Sequence, residues 1–246
     1  MKRLIMAAMV DLEQVILTDT EFDQSSGQLI NQKIGFKTII DYLIVMITEG
    51  KPKRILFLNE SISVPEKVLM NLGIFDLIDV EHSSFDLSCN FPIEDDTYDM
   101  IIGLDSIGTV SGENVDENEK RLIYECSRVL TPDGKILFTV ENSGSIKAII
   151  RSIAQCRNAT VRGRSRHFTP EEFEYLLVTN GISIVKLDTF DYGFFFNVDY
   201  QKTYEVKPML VEGYIEKLLE GSPFTEELRG DTIMVEGKKT NFKLTF

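Results

Sequence analysis

The chain has 246 residues, 43% hydrophobic and 26% charged, which suits one large domain or two small ones and excludes whole-chain disorder. Its net charge of −13 repels phosphate backbones and anionic membranes, so neither a nucleic acid nor a membrane is expected as a partner. Three cysteines (Cys89, Cys126, Cys156) without a CxxC spacing and two histidines (His82, His167) are too few for a structural zinc site, so no metal is expected. They read as reduced, mostly buried thiols of a cytoplasmic protein.

Lys2-Arg3 precede an apolar run, Leu4 to Val10, which is cut by Asp11 and Glu13. This reads as an amphipathic helix, not a signal peptide, and no stretch approaches the roughly 18 apolar residues that span a bilayer. Residues 1–50 are expected as a helical segment packing on the core, with a helix over 36–48 that stops at Gly50. Residues 51–246 are expected as the main body of a single domain, decorated around 142–168 and 192–230.

Arg54-Ile-Leu-Phe-Leu58 is a short apolar run suited to a strand buried on both faces. Ser63-Val-Pro-Glu66 has capping-box spacing and opens a helix to about Leu72, closed by Gly73. A second strand is expected over 75–81 and a third from Tyr98 to Leu104. Asp116 and Glu119 cap a helix to about Leu130, and Thr131-Pro-Asp-Gly134 forms a turn into the strand 135–141. Thr169-Pro-Glu-Glu172 is a capping box whose helix ends at Asn180-Gly181 before the strand 182–190. An aromatic stretch (192–196), a helix over 206–219 and a last strand over 231–236 complete the chain. Strands alternating with helices predict an α/β fold with a mostly parallel sheet.

This order, with its turns, resembles the class I S-adenosylmethionine (SAM) dependent methyltransferases, and among them the small-molecule type 11 group. Phe91-Pro-Ile-Glu-Asp-Asp-Thr-Tyr-Asp99 resembles that family's "lPFpdnsfD" segment. Arg128-Val-Leu-Thr-Pro-Asp-Gly-Lys-Ile-Leu137 resembles "RVLkPGGrlll", and His167-Phe-Thr-Pro-Glu-Glu-Phe173 resembles "r.fT.eEl". The resemblance covers roughly residues 50 to 190 plus the final strand. It implies a Rossmann-like sheet with helices on both faces, an antiparallel last strand, and Arg54–Leu58 centrally placed.

The first half departs from the family. Where the family has an acidic residue and a glycine-rich turn, the chain reads Phe57-Leu-Asn-Glu-Ser-Ile-Ser63, without a glycine. Such glycines let backbone amides approach a ligand and permit positive φ angles. The interval to the Tyr98 strand is also about twenty residues short, so a helix and a strand are expected to be reduced or missing.

The resemblance implies SAM as cofactor, held by Asn59, Glu60 and Ser61, by Glu81 at the ribose, by Asp86 and Leu87 at the adenine, and by Leu104. Each has a plainer reading: Glu81 as an exposed acid at a strand end, Asp86 as a turn residue. Asp105 and His167 are the catalytic candidates, although Asp105 also suits a turn or helix cap and His167 a structural role. From Asn142 to Pro170 there are six cations and no acid. Arg162, Arg164 and Arg166 there are candidates for binding an anionic acceptor, or alternatively a solvated face pairing with acids elsewhere. The expected function is methyl transfer from SAM to a small acceptor. The alternative is an inactive structural or regulatory subunit that no longer binds SAM, and a homo- or heterodimer suits either.

Overall fold

The computed structural model describes residues 28–58, 64–83, 86, 89–107, 115–145, 168–190, 230 and 232–240. They form four helices, α1 (Gln28–Gly50), α2 (Val64–Asn71), α3 (Val115–Val129) and α4 (Pro170–Thr179). The six strands are β1 (Arg54–Phe57), β2 (Asp79–His82), β3 (Tyr98–Leu104), β4 (Leu130–Glu141), β5 (Ile182–Phe190) and β6 (Thr232–Lys239). One sheet takes them in the order β2-β1-β3-β4-β6-β5. The β2–β1, β1–β3 and β3–β4 pairs are parallel, while β6 runs antiparallel to both β4 and β5. β1 therefore lies between β2 and β3, and the last strand is antiparallel, as the sequence predicts.

The inner strands alternate their side chains between two cores. Leu56, Ile101, Ile136 and Phe138 join Leu122, Ile123 and Cys126 of α3 and Phe173 and Leu177 of α4 on one face. Ile55, Phe57, Met100, Ile102 and Leu137 meet Ile39, Ile40, Leu43 and Ile47 of α1 and Leu69 of α2 on the other. The α1 residues recur at helical spacing and are buried, each contributing about 1.5–3 kcal/mol when fully buried. Where β4, β6 and β5 meet, a Cβ on Gly237 would lie 2.5 Å from Ile182 Cγ2, so the close approach requires glycine.

Local signals act as read at α4. Thr169 Oγ1 accepts from the Glu172 amide and the Glu172 carboxylate accepts from the Thr169 amide, with proline in the first turn. The Thr131-Pro-Asp-Gly134 segment is an excursion within β4: Tyr98 pairs with Leu130 and Met100 with Lys135, so four residues loop out opposite Asp99.

Other expectations are corrected. β2 begins at Asp79, not at residue 75, because residues 72–77 form turns around Gly73, which takes φ 66°. Phe75 instead packs edge-on against Phe57, with ring centroids 6.0 Å apart. Cys89 is exposed whereas Cys126 is buried. Among the described residues between β2 and β3 there is no strand, so the shortened interval leaves β2 at the edge of the sheet. No described helix is long and apolar enough to cross a membrane. The 192–196 stretch, the 206–219 helix and Cys156 lie outside the described residues.

Candidate functional site

Neighbours of β1 in the sheet succeed it in opposite directions, β2 on one side and β3 on the other. In an open α/β sheet this reversal leaves a crevice at the strands' carboxyl ends, where ligands bind. Beyond β1, the Leu58 amide donates to the Ile102 carbonyl at 2.9 Å, which holds the chain's exit against β3. Asn59, Glu60 and Ser61 follow directly but lie outside the described residues, as do Leu87, His167, Arg162, Arg164 and Arg166.

Glu81 stands one residue before the end of β2 and is engaged by its own chain. Its Oε1 accepts from Arg54 Nη2 at 2.6 Å and its Oε2 from Tyr98 Oη at 2.6 Å. Arg54 and Tyr98 open β1 and β3, so the carboxylate ties the three strands together on one face. The Arg54 guanidinium also stacks 5.0 Å from the Tyr98 ring centroid, and its Nε lies 3.4 Å from Asp79 Oδ2. The Tyr98 hydroxyl, then Arg54, holds the Glu81 carboxyl below its ordinary value. Burial and the Glu81 carboxylate push the Tyr98 hydroxyl well above its own. The sequence places Glu81 at a strand end but does not reveal that both its oxygens are already bonded.

Two groups that sequence reasoning missed adjoin it. His82 ends β2, stacks on Phe57 with centroids 5.7 Å apart, and brings Nε2 to 2.7 Å from Oε1 of the buried Glu66. The capping-box spacing hides this, because it assigns Glu66 to the helix start. Ser83 is also buried, and its amide donates to the Phe57 carbonyl at 2.8 Å. Among the described residues its hydroxyl has no hydrogen-bond partner, an unsatisfied polar group at the mouth of β2 that a ligand hydroxyl or a water would relieve.

At the end of β3, Asp105 occupies the left-handed region at φ 56°. Its amide donates to Thr139 Oγ1 at 2.9 Å, and Thr139 Oγ1 donates to its Oδ1 at 3.0 Å. Thr139 is fully buried in β4, so this reciprocal clamp fixes an exposed aspartate at the crevice. Leu104 before it is half-buried against the α1 side of the core. Asp86 is exposed, its carbonyl accepting from the Cys89 amide at 3.1 Å. The described residues contain no cluster of three or more potential metal ligands.

No protein-family model matches the sequence, and no curated protein matches it. Solved structures do. A SAM-dependent methyltransferase from Archaeoglobus fulgidus is 16% identical, with a TM-score of 0.51 over 83% of this chain and 94% of its own. A loganic acid methyltransferase solved with SAH is 9% identical, with a TM-score of 0.51 over 90% of this chain and 98% of its own. The fold is therefore that of the class I SAM-dependent methyltransferases.

Proposed function

We propose that the chain is a methyltransferase that takes SAM in the crevice between β1, β2 and β3 and serves a small acceptor. The observation that carries this reading is the clamped Asp105 at the exit of β3, beside the point where the strand order reverses. The clamp holds a carboxylate in an uncommon backbone conformation at a ligand-binding edge, where strain and function commonly coincide. Bound there, SAM supplies a methyl group on a sulfonium, and the protein's task is chiefly positioning.

The donor set fits such a ligand in part. Ser83 offers a buried, unpartnered hydroxyl for a polyol, Leu104 an apolar wall, and Asp105 a carboxylate for an ammonium group or an acceptor proton. Asn59, Glu60 and Ser61 would line the turn after β1. Arg162, Arg164 and Arg166 make an anionic acceptor the natural choice, since guanidinium groups grip carboxylates and phosphates in two-pronged fashion. His167 beside them is a base candidate.

A second reading is favoured by Glu81, whose two oxygens are taken by Arg54 and Tyr98, together with the glycine-free turn. In it the chain keeps the fold as a structural or regulatory subunit without SAM. Calorimetric titration with SAM and SAH decides between them. Saturable binding that Asp105→Ala weakens supports the enzyme, and no heat with either ligand at millimolar concentration overturns it.

A further inference from the structure

Strand β5 spans nine residues and pairs only with β6 among the described residues, so it forms the sheet edge opposite β2. A long edge strand is a template for another strand unless something blunts it. A lone lysine would do so, but β5 carries Lys186 ion-paired with Asp188 two positions on, on the same face, each about half exposed. Val185, at the irregularity between Ile184 and Lys186, is also half exposed, and Tyr175 and Val178 are exposed on the preceding α4.

We propose that β5 pairs with β5 of a second copy of this chain, antiparallel about a two-fold axis at Leu187, to give one continuous sheet. In this register Leu187 meets its own counterpart, and Lys186 of each copy faces the partner's Asp188. Both ion pairs thus recur between chains. Moving the axis to Lys186 opposes lysine to lysine, and moving it to Asp188 opposes aspartate to aspartate. The charge pattern therefore rewards one register and penalises its neighbours, and its self-complementarity selects an identical partner over an unrelated strand. Val185, Tyr175 and Val178 supply apolar surface beside the seam.

Sedimentation of the full chain tests this. The wild-type protein should be dimeric at about 50 μM. Lys186→Asp and Asp188→Lys each set like charges opposite one another in a homodimer, so each alone should raise the dimer dissociation constant at least about tenfold. Mixed together, the two variants face unlike charges and should form a heterodimer of near wild-type affinity. A single cooperative thermal transition in each variant shows that both fold, its midpoint lowered by the weakened dimer, by the broken Lys186–Asp188 pair and, in Lys186→Asp, by the lost stacking on Tyr42. Should either reversal unfold the chain, Lys186→Gln and Asp188→Asn carry the test with a smaller weakening, about threefold. A monomeric wild type, single reversals that dimerise normally, or a mixture that stays monomeric would each overturn the proposal.

Discussion

The two halves of the sheet's parallel part, β1–β2 and β3–β4, are held together differently. In the β3–β4 half a single guanidinium joins the parts: Arg128 binds the buried Glu125, the Asp95 carboxylate, and the carbonyls of Phe91 and Ile93. Glu125 in turn accepts from the Phe91 amide at 2.8 Å. Lys239 closes the same corner through Asp96 and the Arg128 and Leu130 carbonyls. In the β1–β2 half the joins are the half-exposed Arg54–Glu81–Tyr98 brace and the Glu66–His82 contact against Phe57. The segments resembling methyltransferases, residues 91–99 and 128–137, meet at Arg128. Their resemblance reports how the chain packs, and it leaves the cofactor side open.

Breaking the first half should cost most. Arg128→Met leaves Glu125 buried without its cation, and removing one partner of such a pair typically costs about 3–5 kcal/mol. Urea unfolding should record that loss, and a loss under 1 kcal/mol would place the strength of this corner in its apolar packing instead. The variant should also lose part of the wild type's acid sensitivity. Burial raises the Glu125 carboxyl most, but the Arg128 hydrogen bonds, the Phe91 amide and the Arg128 charge together outweigh it and hold the group below its ordinary 4.5. A depressed carboxylate stabilises the fold above pH 4.5, and that stability is lost as pH falls through the folded value. Glu81 and Glu236 are depressed too, so the acid limb should flatten in part only.

That asymmetry also explains what was legible in the sequence. The α4 capping box, β3 and β5 follow from local chemistry, and local chemistry decided them. β2 starts later than its apolar pattern predicts because Phe75 looks like a strand residue, yet its ring packs edge-on against Phe57. Site residues were harder because their fate depends on partners distant in sequence. Tyr98 lies seventeen residues beyond Glu81, and Thr139 lies thirty-four beyond Asp105, with nothing local to mark either pair. Ser83 carried no pattern at all.

The second half breaks more gently and sharpens the cofactor question. Glu81→Gln weakens two hydrogen bonds on a carboxylate that is 44% exposed, so solvent screening should limit the loss to about 1 kcal/mol. If Glu81 is a strand brace, the SAM dissociation constant in calorimetry should stay within about twofold. A rise of tenfold or more would mean that Arg54 and Tyr98 yield the carboxylate to a ribose.

Tyr98→Phe should have the smallest effect and tests the same brace from the alkaline side. The substitution leaves Glu81 Oε2 to water, which can reach a half-exposed carboxylate, so the loss at neutral pH should be under about 1 kcal/mol. The hydroxyl's value is raised from 10.0, by burial first and then by the Glu81 carboxylate. A raised group stabilises the folded state below its unfolded value and withdraws that support as pH climbs past it. Wild-type stability should therefore fall above pH 10, and Tyr98→Phe should remove part of that fall. Tyr42, whose hydroxyl donates to Glu236 at 2.6 Å, is raised in the same way and should account for a further part. Urea midpoints for the two single variants and the double variant between pH 8 and 11 separate the contributions. If Tyr98→Phe leaves the alkaline limb unchanged while Tyr42→Phe flattens it, the Tyr98–Glu81 bond does not hold in solution, and Glu81 becomes available at the crevice after all.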